Sequence, residues 1–297
     1  MNKAYLFSGQ GSQYKGMDKL FKSYPRISNL FFETSNEILK YDIKKIISTN
    51  PDNLLNSTKH TQPAIFIISS IAYNIHVQKE GLPNCFAGHS LGEITALYAS
   101  KVISYKEALR FIKIRSESMN NANIKNPGKM IAVLHKNMDE LHSILNTLSN
   151  LSVANYNSKN QIILSGKEID IDNAVSYLKK HKIHVVPLNI SGAFHSPLMK
   201  SASEALLETI NNLNFNDAIL PIYQNVNATP NTKGEVIKLN IINQITSPVK
   251  WDSIISNMIK DGVNSFFELG PKSILSKLIK PSKNITSSSF EKKYEPI

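Results

Sequence analysis

Cysteine, arginine and long apolar runs are what this chain has least of. One cysteine, Cys85, among 297 residues excludes an internal disulfide and fits a reducing compartment. All but three of the 34 basic residues are lysine, the exceptions being Arg26, Arg110 and Arg115. Nucleic-acid readers lean on arginine forks and aromatic stacking. No basic and aromatic interleaved tract is present, so a nucleic-acid partner is not expected. The longest apolar stretch, 63–77, is broken by Ser69, Ser70 and Asn74 and falls short of the roughly 20 residues of a membrane helix, so no span is expected. At the start, Met-Asn-Lys is followed only by the short apolar run 4–7, without the apolar core of a secretory signal, and the cytosol is the expected compartment.

Hydrophobic residues at 41% and charged residues at 19% are ordinary for a globular protein, which argues against a disordered or fibrous chain. The length suits one large domain, alone or with a smaller one inserted. A net charge of +11 favours acidic partners without naming one, and a solvated lysine-rich surface is the simpler account of it.

The run Lys3-Ala4-Tyr5-Leu6-Phe7 reads as a strand feeding the loop Ser8-Gly9-Gln10-Gly11-Ser12-Gln13, a common ligand edge in α/β folds. Helical spacing over 16–46, broken near Tyr24-Pro25, predicts two helices, and Gln62-Pro63 opens a buried helix to about residue 78. A short strand, 84–87, then leads into Gly88-His89-Ser90-Leu91-Gly92 and a helix from Glu93. Between 126 and 190 the elements run β-α-β-β-α-β, the order of a ferredoxin-like module. The expected architecture is therefore a large α/β-hydrolase-like domain with a parallel sheet, residues 1–125 and 191–297, carrying an inserted ferredoxin-like subdomain, 126–190. A helix near 197–213, a strand near 219–224, two further helices, a last strand at 266–269 and a helix reaching Ile279 follow. The polar residues after Pro281 are expected to fray.

Gly88-His89-Ser90-Leu91-Gly92 fits G-x-S-x-G, where a tight strand-to-helix turn lifts a serine hydroxyl above the sheet edge and the following helix aims free N–H groups at it. Such a serine needs a base. Of the eight histidines, His60, His76, His135, His142, His181 and His184 lack a second motif element, and His89 adjoins the serine in a turn whose neighbours point apart. His195 remains, in the small-residue loop Ser191-Gly192-Ala193-Phe194-His195-Ser196-Pro197. No acidic residue in a comparable turn completes a triad.

Five segments in order, Phe7-Ser8-Gly9-Gln10-Gly11-Ser12-Gln13, Thr61-Gln62-Pro63-Ala64, Gly88-His89-Ser90-Leu91-Gly92-Glu93, Gly192-Ala193-Phe194-His195-Ser196-Pro197-Leu198-Met199 and Ser247-Pro248-Val249-Lys250-Trp251, resemble the malonyl-CoA:acyl carrier protein transacylases of fatty-acid synthesis, from residue 3 to about 279. The resemblance accounts for the missing acid, since in that family a backbone carbonyl orients the histidine; the matching position is Gln244. It implies Ser90 as the nucleophile that becomes malonylated, His195 as its base, and the N–H groups of Gln10 and Leu91 as the oxyanion hole. It implies Arg115 as the group that grips the free carboxylate of malonate, a role suited to a guanidinium fork and not to lysine. Gln62, Asn155 and Asn157 match positions lining the substrate cleft. Ser8 stands where many relatives carry proline and Lys129 where they often have a small residue; neither touches the implied chemistry.

The implied reaction moves a malonyl group from malonyl-CoA through Ser90 to the phosphopantetheine thiol of acyl carrier protein, with no metal or cofactor, and a monomer is expected. Such carriers are acidic, which gives the charge a specific partner, with Lys179, Lys180 and Lys182 as possible contacts. An acyltransferase of a polyketide assembly line is the nearest alternative, sharing the malonyl-type Phe194 before His195. A serine hydrolase or thioesterase, and a non-catalytic module that binds acidic proteins, are the others.

Overall fold

The computed structural model describes residues 2–190 and 192–294; the predicted boundary residue Ser191 and the last three residues of the predicted tail lie outside them. In chain order the elements are β1 (Lys3–Phe7), α1 (Pro25–Leu39), α2 (Ile43–Thr49), α3 (Thr58–Glu80), β2 (Cys85–Gly88), α4 (Leu91–Ala99), α5 (Tyr105–Lys125), β3 (Gly128–Leu134), α6 (Met138–Leu145), β4 (Leu151–Ser158), β5 (Gln161–Lys167), α7 (Glu168–Lys180), β6 (His184–Pro187), α8 (Lys200–Asn212), β7 (Ile222–Tyr223), β8 (Pro230–Asn231), α9 (Gly234–Gln244), α10 (Trp251–Lys260), β9 (Ser265–Leu269), α11 (Leu275–Leu278), β10 (Thr286–Ser289) and α12 (Phe290–Tyr294).

Two sheets organise the chain. The first runs β10-β9-β1-β2-β7-β8, parallel except for the β7–β8 pair. Ala4, Tyr5, Leu6 and Phe7 of β1 are all buried, the continuous apolar run of a parallel strand covered on both faces. Phe7 pairs with Gly88 on one side and Leu269 on the other, so the loops leaving β1, β2 and β9 emerge level at one edge. The second sheet, β4-β5-β3-β6, is antiparallel and built from the predicted β-α-β-β-α-β stretch, the ferredoxin-like arrangement. Its faces divide by strand alternation: Ile131, Val133, Ile162 and Leu164 pack under α6 and α7, while Met130, Ala132 and Ile163 face the first sheet.

The helices that position the site have local reasons for their limits. α5 starts on a capping box, with the Ser104 side chain accepting from Glu107 N–H and the Glu107 carboxylate accepting from Ser104 N–H. Its buried stripe, Ala108, Phe111, Ile112, Arg115, Met119 and Ala122, follows helical spacing and includes one charge. α3 begins four residues before the predicted start, which places Pro63 inside it. Proline has no N–H for the carbonyl of Lys59, and Ser116 Oγ on α5 donates to that carbonyl at 3.3 Å instead.

Two expectations are corrected. The strand foreseen near 219–224 shrinks to Ile222–Tyr223. Through Tyr294 the tail does not fray: Thr286–Ser289 pairs in parallel with β9, and α12 buries the whole Phe290 side chain beside Phe21. β10 is held by main-chain bonds, to which its polar side chains give no clue. Phe290→Ala should therefore lower unfolding free energy by about 3 kcal/mol in urea titration, while Lys292→Ala stays within about 0.5; equal stability of both variants would mean a loose tail.

Candidate active site

Chain geometry at the elbow comes first. Ser90 sits between β2 and α4 at φ 51° and ψ −104°, a region costly for a side-chain-bearing residue and found where function demands it. The turn closes only around glycine: a Cβ on Gly88 would lie 1.9 Å from the Gly92 carbonyl carbon, and one on Gly92 would lie 2.0 Å from the Phe7 carbonyl oxygen. Asn225 staples the turn shut. Its Oδ1 accepts from Ser90 N–H at 2.7 Å and its Nδ2 donates to the Gly88 carbonyl at 2.7 Å.

Ser90 Oγ lies 2.8 Å from His195 Nε2. His195 Nδ1 faces two main-chain carbonyls, Gln244 and Ser247, each at 3.0 Å. Carbonyls only accept, so Nδ1 carries the proton and Nε2 presents a lone pair to the Ser90 hydroxyl. Burial, and then the nearby Arg115 charge, lower His195 to about 3, so it is neutral at physiological pH.

Arg115 enters from α5 on the other side of Ser90. Its Nη2 donates to Ser90 Oγ at 3.2 Å and to Gln244 Oε1 at 3.0 Å, and its Nη1 donates to Gln62 Oε1 at 2.6 Å. The side chain is 2% exposed, yet among the described residues it forms no ion pair. Burial lowers it to about 10, which leaves it cationic. Gln244 Nε2 donates to the Ser90 carbonyl at 2.9 Å and to Glu93 Oε2 at 2.7 Å, so this one residue touches serine, histidine, arginine and glutamate.

The expected site residues fall into two groups. Ser90, His195, Arg115, Gln62 and Gln244 form one hydrogen-bonded cluster. Gln10, Asn155 and Asn157 line an adjoining cavity of about 280 Å³ between the glycine loop and the second sheet, with Met130, Ala132 and Ile163 as its apolar wall. Gln10 is held by its side chain, which donates to Thr58 Oγ1 at 3.1 Å, while among the described residues neither its backbone N–H nor that of Leu91, the first residue of α4, has an acceptor. Lys179, Lys180 and Lys182 end α7 and the turn after it, behind the second sheet and away from this cavity.

Sequence reading missed four contributors. Ser247 shares the orientation of His195, Asn225 closes the elbow, and Glu93 is buried behind it. His89, set aside as a base, makes no bond to Ser90 Oγ; it turns into the cavity, where Nε2 meets Asn157 Oδ1 at 3.0 Å. No local pattern marked Asn225, which lies in a polar stretch typical of any surface loop. Among the described residues there is no cluster of His, Cys, Asp and Glu suited to a metal ion and no helix long and apolar enough to cross a membrane.

Residues 4–290 match the acyl transferase domain family. The chain is 34% identical over 288 residues to a malonyl CoA-acyl carrier protein transacylase of Bacillus subtilis, covering 95% of this chain and 72% of that protein. It is 36% identical to PksC, a polyketide biosynthesis malonyl CoA-acyl carrier protein transacylase of Bacillus subtilis strain 168, covering 93% and 95%. Among solved structures it superimposes on FabD of Acinetobacter baumannii with a TM-score of 0.92 at 27% identity, covering 99% and 97% of the chains. The malonyl CoA-acyl carrier protein transacylase of Clostridium perfringens gives 0.90 at 30% identity, covering 97% and 93%. With the family model matching residues 4–290 and relatives 34% and 36% identical over nearly the whole chain, the chain belongs to the acyl transferase domain family.

Proposed function

We propose that this acyltransferase moves a malonyl group from malonyl-CoA to the phosphopantetheine thiol of an acyl carrier protein through a malonyl ester on Ser90. The observation that carries the reading is that Ser90 Oγ stands 2.8 Å from a neutral imidazole and 3.2 Å from a buried guanidinium. A base alone would serve any acyl group. A buried cation beside the nucleophile selects an acyl group that ends in an anion, and a guanidinium binds a carboxylate through two parallel bonds.

In the first half-reaction Ser90 Oγ attacks the thioester carbonyl carbon as its proton passes to His195 Nε2. The N–H groups of Gln10 and Leu91 receive the oxyanion, the latter aided by the positive end of the α4 dipole. The C–S bond breaks and the CoA sulfur takes the proton from His195. In the second half the carrier thiol gives its proton to His195, its sulfur attacks the ester, and Ser90 leaves with the proton returned to it. The malonyl carboxylate stays on Arg115 throughout, with Gln62 holding the far side of the guanidinium. No metal or cofactor has a part in these steps.

Residues 1–125 with 191–297 are proposed as the catalytic domain and 126–190 as the wall that closes the cleft, a division supported by the second sheet drawing every strand from 128–187. The cavity between the sheets, with Asn155, Asn157 and His89 on its rim, is the proposed entry for the pantetheine arm. The net charge of +11 supports an acidic carrier, and relatives of both the plain transacylase and the polyketide kind support malonyl transfer in either pathway. A cytoplasmic monomer is the proposed working form.

Incubation with malonyl-CoA should leave one malonyl group on Ser90 by intact and peptide mass, and none on Ser90→Ala; an unmodified wild-type protein would end the reading. Because His195 binds a proton only near pH 3, the rate of Ser90 acylation should not fall as the pH drops from about 8 to about 5. An acid limb near 6.5, the value of an unperturbed imidazole, would contradict the burial-lowered value of His195 while leaving a histidine as the base.

A further inference from the structure

Arg115 and Glu93 are two buried opposite charges that do not touch. The Gln244 amide lies between them, its oxygen accepting from Arg115 Nη2 at 3.0 Å and its nitrogen donating to Glu93 Oε2 at 2.7 Å. Glu93 is 1% exposed and its other oxygen accepts from the Asn225 N–H at 3.3 Å. Both carboxyl oxygens thus face donors, a setting that fits the ionised form and would waste the hydroxyl of the protonated one. Asn225 in turn holds the Ser90 turn, so the same carboxylate backs both the nucleophile's elbow and the guanidinium.

We infer that Glu93 is a positioning residue for malonyl transfer: through the Gln244 amide it serves as the internal counter-ion of Arg115, and the substrate's carboxylate competes with it for that charge. The inference rests on the proposed function and adds to it a source of selectivity that changes with pH. An ionised Glu93 partly neutralises Arg115 and makes an anionic acyl group less favoured; a protonated Glu93 leaves the full positive charge to the substrate. The preference for malonyl over acetyl should therefore be highest in mild acid and decline as the pH rises.

The other ionisable groups of the site do not share this window. Burial pushes Glu93 up to about 7, against the pull of Gln244, Asn225 and Arg115. His195 lies near 3, His89 is lowered by burial below the ordinary imidazole value, and Arg115 stays near 10. The malonyl carboxylate is ionised across the same range. Any pH effect common to both thioesters, on His195 or on CoA itself, cancels in the ratio of their kcat/KM values.

The test measures kcat/KM for Ser90 acylation by malonyl-CoA and by acetyl-CoA, from pH about 6 to about 8.5, in wild type, Glu93→Gln and Gln244→Met, with thermal unfolding to establish that each variant is folded. In wild type the malonyl to acetyl ratio should fall on the order of tenfold as pH rises, the effect of one charge across a buried site at an effective dielectric near 20. In Glu93→Gln the ratio should be flat, because the titrating group is gone; in Gln244→Met the slope should be shallower than in wild type, because the amide that bridges the two charges is gone while the charges remain. A role in packing alone would lower both substrates' rates and leave the slope of the ratio in place. A flat ratio in wild type, or a wild-type slope in folded Glu93→Gln, overturns the inference; should that variant not fold, the wild-type slope and Gln244→Met decide. Wild-type protein that takes no malonyl group at all instead overturns the functional reading beneath it, and that result is distinct from normal malonylation with a flat ratio.

Discussion

One buried cation sets the terms for the rest of the site. Arg115 lies under Ser90 with no carboxylate in direct contact, and removing such a charge from water costs several kcal/mol unless dipoles replace the lost hydration. Gln62 from α3, Gln244 from α9 and the Ser90 hydroxyl supply them. Each of these acceptors is itself committed elsewhere: Gln62 Nε2 to Met119 Sδ at 3.2 Å, Gln244 Nε2 to Ser90 O and Glu93, and Ser90 Oγ to His195. The guanidinium is consequently fixed before substrate arrives, which is how an enzyme avoids reorganising its dipoles during the reaction.

The scaffold supplies the precision this requires. Three parallel strands end level, so the glycine loop after β1 and the elbow after β2 are neighbours by register. Gly88 and Gly92 then allow main chain to approach main chain where any Cβ would collide. Ser90 pays for the placement of its hydroxyl with a positive φ, and Asn225 fills the hydrogen bonds the sharp turn leaves open. His195, also at positive φ, 57°, is aimed by two carbonyls at the end of α9 and after it. A carbonyl pair fixes the tautomer as a carboxylate would but adds no full negative charge beside Arg115, which leaves that charge to the proposed substrate carboxylate.

Legibility in the sequence followed how local the cause was. The turn at Gly88–Gly92 and the alternating order between 126 and 190 are short-range patterns, and the structure places both where the pattern does. Gln244 was reached only through resemblance, and its side-chain bonds to Arg115 and Glu93 depend on the end of α9 meeting side chains from α5 and α4, which no spacing reports. Glu93 was read as the opening residue of a helix. That helix is buried on every side from Leu91 to Ala99, so it has no polar face against which a buried carboxylate would stand out. Asn225 and β10 were hidden for the opposite reason, because polar residues that spend their hydrogen bonds inside the fold look like solvated loop.

The central claim is that Arg115 reads the charge of the acyl group and not its size. It is tested most directly by comparing single-turnover acylation of Ser90 by malonyl-CoA with that by its methyl ester, which extends the acyl group by one methyl and removes its charge. Wild type should acylate about a hundredfold more slowly with the ester, the worth of a buried charge-assisted pair, and Arg115→Ala should bring the two rates close together. Equal rates in wild type would contradict the account.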